Sequence, residues 1–388
     1  MKKLLAPVKK NINFLLFLGL ILVIGLISYD ASFGLNDYRL AQYLPDYSMG
    51  FCSRFLVGSF LMLFNHPFTP EWLTDFSAGV YIFTAFLTAL ALNRLIKSSP
   101  EYKKELPVTT ILLLACPFGF SYFAWWLGML DVFWFIFTLL ALICFENKYL
   151  CWLLPVFSFL CIATHYMACL VFFPVLAAVL LFEIGANPGK KSLVVLFMVT
   201  TFISVAAGVW FVFFATNYVK MDEAEALDYL NSKLFTNQEQ TLFYLYGTTR
   251  GESVSGVSGI LDASAEYLGE DRFNFASWFK LLINVIPSAG FFTAVYVVSL
   301  RSTENKILKL ASVLCIAFNI LPWLIISVSP DTTRWFALYI IAQSMIVLYL
   351  VYRKNPAVSY GFGKVTHWLK TNPVALCILV YAGIISAS

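Results

Sequence analysis

The sequence predicts an all-α fold, a polytopic transmembrane helical bundle with about eleven spans. Hydrophobic residues make up 60% of the 388 residues, charged residues make up 12%, and the mean hydropathy is +0.79. A soluble protein would carry roughly 25% charged residues. Apolar runs of the length of a spanning helix recur along the chain. We therefore expect a single transmembrane domain over residues 1–388.

Lysines and arginines in the connecting segments predict the orientation of these spans. The positive-inside rule places cation-rich connections in the cytoplasm, and most of the 26 cations follow it if the N-terminus is cytoplasmic. No Ala-x-Ala pattern follows the first apolar run, so we expect an uncleaved helix there. The predicted spans are 12–29, 77–96, 107–126, 130–146, 149–164, 167–184, 193–214, 278–300, 309–328, 335–352 and 373–387, and whether the last one crosses is left open.

The first predicted outer loop, residues 30–76, contains an apolar segment that is too short to be a span. Segment 51–64 carries Arg54, and if it crossed the membrane the lysine-rich connections that follow would lie outside. We therefore predict interfacial helices in this loop. The second outer loop, 215–277, combines an acidic helical stretch with a Gly- and Ser-rich middle, which is typical of a functional lid or a mobile segment.

Acidic residues at the edges of the predicted spans are candidate catalytic groups, because charges there are costly. Asp37 in the first loop could act as a general base or ligate a divalent cation, or it is only a solvated loop acid. Asp30 and Asp46 are weaker candidates of the same kind. Asp131 could also be catalytic, or it could simply cap the helix that begins there.

Basic and aromatic residues on the same predicted side form a second group. Arg54 is a candidate phosphate clamp, or it snorkels to the interface. His165 could move protons or, when charged, bind phosphate, or it is a hydrogen-bonded turn residue. Asp331 and Arg334, three apart at a helix start, lie on one face and can pair, or Asp331 caps the helix and leaves Arg334 directed at the membrane surface. Trp125 and Trp126 could stack on a sugar, although an aromatic interface belt also explains them.

Several classes of function are excluded or disfavoured by what the sequence lacks. No P-loop or Rossmann glycine fingerprint is present, which argues against a nucleotide-driven reaction. The net charge of +4 resides in short loops and does not indicate nucleic-acid binding. The eight cysteines have no spacing typical of a metal site, so we expect small core residues.

The segments that contain these candidate residues resemble those of the GT-C superfamily of membrane glycosyltransferases. The resemblance is carried by a first outer loop with an acid and an interfacial helix, by Gly50-Phe51-Cys52-Ser53-Arg54-Phe55-Leu56-Val57-Gly58, and by Leu130-Asp131, Thr164-His165 and Asp331-Thr332-Thr333-Arg334-Trp335. It implies transfer of a sugar from a polyprenyl-phosphate-linked donor to a glycan or glycolipid acceptor on the exoplasmic face. Many members carry paired acids where this chain has Asp37-Tyr38-Arg39, so a divalent cation as cofactor stays open.

The resemblance also implies roles for the candidate residues. Asp37, with Asp131 as its partner or alternative, would deprotonate the acceptor hydroxyl. His165 would orient the reacting groups or donate a proton. The remaining residues would bind substrate, with the arginines neutralising phosphate: Arg39, Arg54, Asp331, Arg334, Trp125 and Trp126. The setting would be a bacterial inner membrane and the synthesis of cell-surface polysaccharide, with membrane lipid as a further partner.

Two other functions fit the same pattern. A polysaccharide polymerase of the O-antigen type would share the lipid-linked substrate and the large outer loop. A lipid-linked-sugar flippase or transporter would place ionisable residues near the bilayer midplane, often in repeated halves. Mid-span charges are few in this sequence and no internal repeat is evident, which favours transfer over transport.

Overall fold

The computed structural model describes residues 12–29, 39, 42–64, 69–102, 105–106, 110, 119–214, 221, 223–233, 275–322 and 332–385. These residues form helices and turns and no strand, as the sequence predicts. The helices are α1 Ile12–Ser28, α2 Phe55–Met62, α3 Pro70–Ser98, α4 Ser121–Trp125, α5 Asp131–Phe145, α6 Leu154–Thr164, α7 Ala168–Val171, α8 Phe173–Ala186, α9 Lys191–Val209, α10 Glu223–Lys233, α11 Phe275–Arg301, α12 Lys306–Phe318, α13 Thr332–Tyr352, α14 Pro356–Thr371 and α15 Pro373–Ile385. Short 3₁₀ turns cover Pro100–Tyr102 and Leu150–Leu153, and a π-helical turn covers Trp210–Phe214.

Among the described residues, four stretches of helix are long and apolar enough to cross a membrane. They are Pro70–Ser98, Ala168–Ala186, Lys191–Val209 and Arg334–Tyr352, and several shorter apolar helices accompany them. Helix α9 exposes Met198 and Phe202 at 62% and 71%, surface that a bilayer would cover. The described chain thus has the character of a helical membrane protein. The count of eleven spans stays a prediction, because 107–109, 111–118 and 323–331 lie outside the described residues.

Helices α5 and α13 run side by side in the same direction and define two ends of the bundle. At their beginnings Asp131 contacts Arg334, and towards their ends the Tyr349 hydroxyl donates to the Leu142 carbonyl. We call the first the site end. The opposite, basic end carries exposed or half-exposed cations: Arg94, Lys97, Lys148, Arg301 and Arg353.

Asparagine caps organise the basic end. Asn305 and Asn355 begin α12 and α14 by accepting two backbone N–H bonds each, which satisfies amides left over at a helix start. Their side-chain amides also donate to the carbonyls of Gly185 and Phe182 near the end of α8, at 2.9 and 3.1 Å. Each cap therefore fixes both its own helix and the position of that helix against α8.

Two glycines allow close approach of backbone segments. A Cβ at Gly58 of α2 would overlap the Pro45 carbonyl, and one at Gly361 of α14 would overlap the Val295 carbonyl of α11. Small residues permit such contacts where a side chain would hold the segments apart.

With eight residues, α2 is about 12 Å long and cannot cross a hydrocarbon core of about 30 Å. Its position at the interface, and the boundaries of the two outer loops, stay predictions.

Candidate functional site

Asp131 and Arg334 form a buried, two-point ion pair at the site end. Arg334 donates from Nε to Oδ2 at 2.7 Å and from Nη2 to Oδ1 at 2.8 Å. The Tyr122 hydroxyl donates to the same Oδ2 at 2.7 Å. Asp131 is 0% exposed and Arg334 is 7% exposed. Charge-assisted bonds of this fork geometry are strong and fix the planes of both groups.

This pair corrects two expectations from the sequence. Asp131 is the first residue of α5, but its side chain caps nothing, since Leu130 holds the cap position without a side-chain bond. Arg334 does not point at the membrane surface; it is directed into the bundle towards Asp131. Asp331, the expected local partner of Arg334, lies outside the described residues, as does Asp37.

Arg54 occupies a strained position and contacts His165. Its φ of 74° places it in the left-handed region, which is uncommon for a residue with a side chain. Its backbone N–H donates to Ala163 O at 3.0 Å, and Ser53 Oγ accepts from the Tyr166 N–H at 2.8 Å. These bonds hold the start of α2 against the end of α6. Backbone strain maintained by its surroundings is often associated with functional sites.

The imidazole of His165 lies in the turn between α6 and α7 and faces the Arg54 guanidinium. Arg54 Nη2 is 2.5 Å from His165 Nε2, and because a guanidinium only donates, Nε2 is the acceptor of this bond. The Met167 backbone N–H lies 3.2 Å from Nδ1, the other ring nitrogen. Burial, then the charges of Arg54 and Arg334, lower the pKa of His165 well below its usual value. The ring is therefore neutral at neutral pH, and a charged imidazole that binds phosphate is not what this arrangement supports.

Trp134 connects the two pairs. Its ring packs edge-on against His165 with centroids 5.2 Å apart, and the Arg334 Cζ lies 5.9 Å from its centroid. Trp134 is fully buried on α5, one turn after Asp131. The sequence analysis missed it because it lies inside an apolar run. The available signal was its spacing of three residues from Asp131, which places both on one helix face.

Arg39 lies beside the segment that precedes α5, which contains Trp125 and Trp126, the two tryptophans predicted to bind substrate. Arg39 is 5% exposed, donates from Nη1 to the Leu127 carbonyl at 3.4 Å, and places Cζ 5.1 Å from the Trp126 ring centroid. Trp126 therefore has a cation on one face. Trp125 is 46% exposed. The structure thus brings four of the predicted residues into one cluster: Arg54, His165, Asp131 and Arg334. Arg39 lies beside Leu127 and Trp126, in the segment before α5.

A second polar cluster joins the two loop segments that the sequence analysis treated separately. Lys233 of α10 forms an ion pair with Asp46 and donates to the Leu44 carbonyl at 3.2 Å. The Tyr229 hydroxyl donates to Asp46 Oδ2 at 2.6 Å, and Ser48 donates to Tyr229 at 2.8 Å. Asp46 had been a weak candidate as a lone loop acid, and its role here is to hold α10.

Burial and hydrogen bonding have opposite effects on Asp46. Burial is the largest single influence and by itself raises the pKa, but the bonds from Lys233, Ser48 and Tyr229 together outweigh it, so the pKa is lowered. The carboxylate is therefore ionised at neutral pH, and its stabilising contacts with α10 are present there.

Within the described ranges, no group of three or more His, Cys, Asp or Glu side chains is placed to hold a metal ion. Asp37, the residue that raised the question of a cation, is outside those ranges. The described cluster is dominated by guanidinium groups, which recognise carboxylates and phosphates. Its chemistry is that of an anion-binding site.

No protein-family model matches the chain, and comparisons with curated proteins and with solved structures returned no match.

Proposed function

We propose that this protein is a membrane glycosyltransferase that moves a sugar from a polyprenyl-phosphate-linked donor to an acceptor hydroxyl on the exoplasmic face. The observation that carries the proposal is that two arginines lie on either side of one aromatic pair: Arg54 contacts the buried His165, and Arg334 lies over Trp134, which packs against that imidazole. A fork of N–H donors matches phosphate oxygens. We infer that a lipid-linked phosphate is the group for which this pair of cations is arranged.

In this mechanism the arginines stabilise the leaving group. The bond between the sugar anomeric carbon and the phosphate oxygen breaks, and the electron pair stays on the phosphate. Arg54 and Arg334 offset the negative charge that develops there. Asp131 holds Arg334 through two bonds before substrate arrives, so this donor needs no reorganisation during the reaction.

The acceptor oxygen forms the new bond to the anomeric carbon and gives up its proton. Both oxygens of Asp131 are engaged by Arg334 or Tyr122, so we assign Asp131 as a positioning residue and not as the base. We retain Asp37 as the proposed proton acceptor. The neutral His165 orients Arg54. Helix α10, held by Asp46, belongs to the segment that would cover the acceptor and exclude water.

The test is a transfer assay with purified protein in nanodiscs. Radiolabelled polyprenyl-phosphate and polyprenyl-diphosphate sugars would be supplied with lipid extract, and label in the product would be measured. We expect transfer by the wild type, a loss of about 100-fold or more in Arg54→Ala and Asp37→Asn, and near wild-type rates in Arg301→Gln, which removes a cation at the basic end.

A lack of both transfer and donor hydrolysis across the donor panel would contradict the proposal. If labelled lipid then moved to the opposite leaflet of liposomes, the function would be transport. The length of the product separates the remaining alternative, because a polymerase would add multi-sugar repeat units where a glycosyltransferase adds one sugar.

A further inference from the structure

An apolar cavity with an open volume of about 990 Å³ lies between α3, α5 and α13, away from the Asp131–Arg334 pair. Its described walls are almost entirely hydrocarbon, with side chains such as Leu92 of α3, Leu139 of α5 and Ile341 of α13. The glycosyltransferase proposal does not use this cavity.

The cavity extends along about half of the bundle. On α5 it is lined from Phe135, one turn beyond Asp131, to Glu146 at the basic end. Eleven residues of α-helix cover about 16 Å. One leaflet contributes about half of a hydrocarbon core that is roughly 30 Å thick. The cavity therefore has the length of one leaflet, and it begins at the basic end.

The rim at the basic end is charged. Arg94 Nη1 is 3.9 Å from Glu146 Oε2, and the Arg94 side chain is 46% exposed, so this ion pair is loose. Glu146 Oε2 also accepts a bond from the Tyr352 hydroxyl at 3.0 Å. Lys97, one turn after Arg94, and Lys148 are exposed near the same end. The cavity lining itself holds one cation, Arg94, and one carboxylate, Glu146, and the exposed lysines lie outside it.

We propose that this cavity binds one hydrocarbon chain of an anionic phospholipid from the leaflet at the basic end. The chain lies between α3, α5 and α13, and the phosphate of the headgroup contacts Arg94. Three features select this occupant: walls without charge below the rim, a length of one leaflet, and at the mouth the half-exposed Arg94, whose pairing with Glu146 is loose, with exposed lysines nearby. A polyprenyl donor that reacts at the Asp131–Arg334 end would place its phosphate at the other end of the bundle.

The experiment uses the full-length protein purified in mild detergent. Native mass spectrometry would count bound phosphatidylglycerol and phosphatidylcholine after incubation with equal amounts of each. We expect one retained phospholipid with a preference for phosphatidylglycerol. Ser344→Trp, which fills the cavity from α13, should reduce retention about tenfold or more, and Arg94→Gln should remove most of the preference while the chain still binds.

Two controls match these variants. Leu310→Trp adds the same ring at a 50% exposed position of α12, and Arg301→Gln removes one exposed cation at the same end. Both should retain lipid as the wild type does. If Ser344→Trp is not monodisperse, Ala91→Leu provides a smaller obstruction from α3.

The proposal is overturned if Ser344→Trp or Ala91→Leu retains phosphatidylglycerol as the controls do. It is also overturned if the wild type retains only polyprenyl phosphate, because the cavity would then hold the donor chain. Displacement of the lipid by free glycerol phosphate would mean that the headgroup alone binds and that the cavity is not used.

Discussion

Lys233 pairs with Asp46 across 187 residues of sequence, and this contact attaches α10 to the segment that precedes α2. The side chains of both residues are less than 10% exposed, and Tyr229 donates to the same carboxylate oxygen as Lys233. The two segments come from the two predicted outer loops. Asp46 therefore accepts from two residues of α10, beside the bonds from Lys233 to Leu44 and from Ser48 to Tyr229.

The Asp46 contact should depend on pH in the acidic range. Its folded-state pKa is lowered from the ordinary 3.8, so the stabilisation is present above that value and is lost as the pH falls through the lowered pKa. We expect α10 to stay docked from neutral pH down to the ordinary carboxyl range and to detach below it. Electron-spin distances between labels at the exposed Ser232 and Phe64 would measure this.

The control for this prediction is Asp46→Asn, which should detach α10 at neutral pH and abolish the acid transition. Equal label distances in Asp46→Asn and wild type at neutral pH would show that other contacts hold the helix.

Asp131→Asn should strongly destabilise the protein. The guanidinium of Arg334 would remain buried opposite a neutral amide, and removal of one partner from a buried ion pair costs about 3–5 kcal/mol. The double variant Asp131→Leu with Arg334→Met should recover much of that stability and still lack transfer activity. Thermal unfolding of the purified proteins, read beside the transfer assay, distinguishes these cases. A double variant no more stable than the single one would argue against the pair as the cause.

Replacement of Arg54 should separate backbone strain from chemistry. At a φ of 74°, glycine is unstrained, whereas alanine carries a penalty of about 1–2 kcal/mol. We therefore expect Arg54→Gly to be more stable than Arg54→Ala, while both lose transfer activity because neither has a guanidinium. Melting temperatures and transfer rates of the two variants provide the measurement. Residual activity in the more stable glycine variant would show that the side chain is dispensable.

Gly58→Ala should destabilise the attachment of α2. The added methyl group would overlap the Pro45 carbonyl, and overpacking of this kind typically costs about 1–3 kcal/mol. Gly79→Ala in α3 is the matched control, since nothing lies within 4 Å of the added carbon and alanine favours a helix. Thermal unfolding should show opposite shifts for the two variants, and similar shifts would contradict the close contact at Gly58.

The sequence predicted local features better than it predicted contacts. The helix start at Asp131, the turn at His165 and the short helix after Arg54 follow from apolar run lengths and their interruptions. The depth of these residues in a membrane stays a prediction. The direction in which a residue faces around the bundle axis depends on which helices become neighbours.

That limit explains the missed partners. Local spacing favoured Asp331, which lies outside the described residues, as the partner of Arg334. It gave no sign of the bond to Asp131, which is 203 residues away. Lys233 and Asp46 were likewise assigned to separate loops. In both cases the pairing depends on helix packing, which no periodicity within one segment encodes. Asp37, the proposed catalytic base, and Asp331, a predicted substrate-binding residue, lie outside the described residues.

The separation of Asp131 from Arg334 has a consequence for biosynthesis. At a translation rate of about 5–20 residues per second, Arg334 leaves the ribosome roughly 10–40 s after Asp131. During that interval α5 carries a carboxylate without its final partner, which must stay hydrated at the membrane edge or take up a proton. With Asp131 ionised, we therefore expect α5 to settle at its final depth after α13 is inserted. Truncated or stalled chains that end before Arg334 should be substrates for membrane quality control.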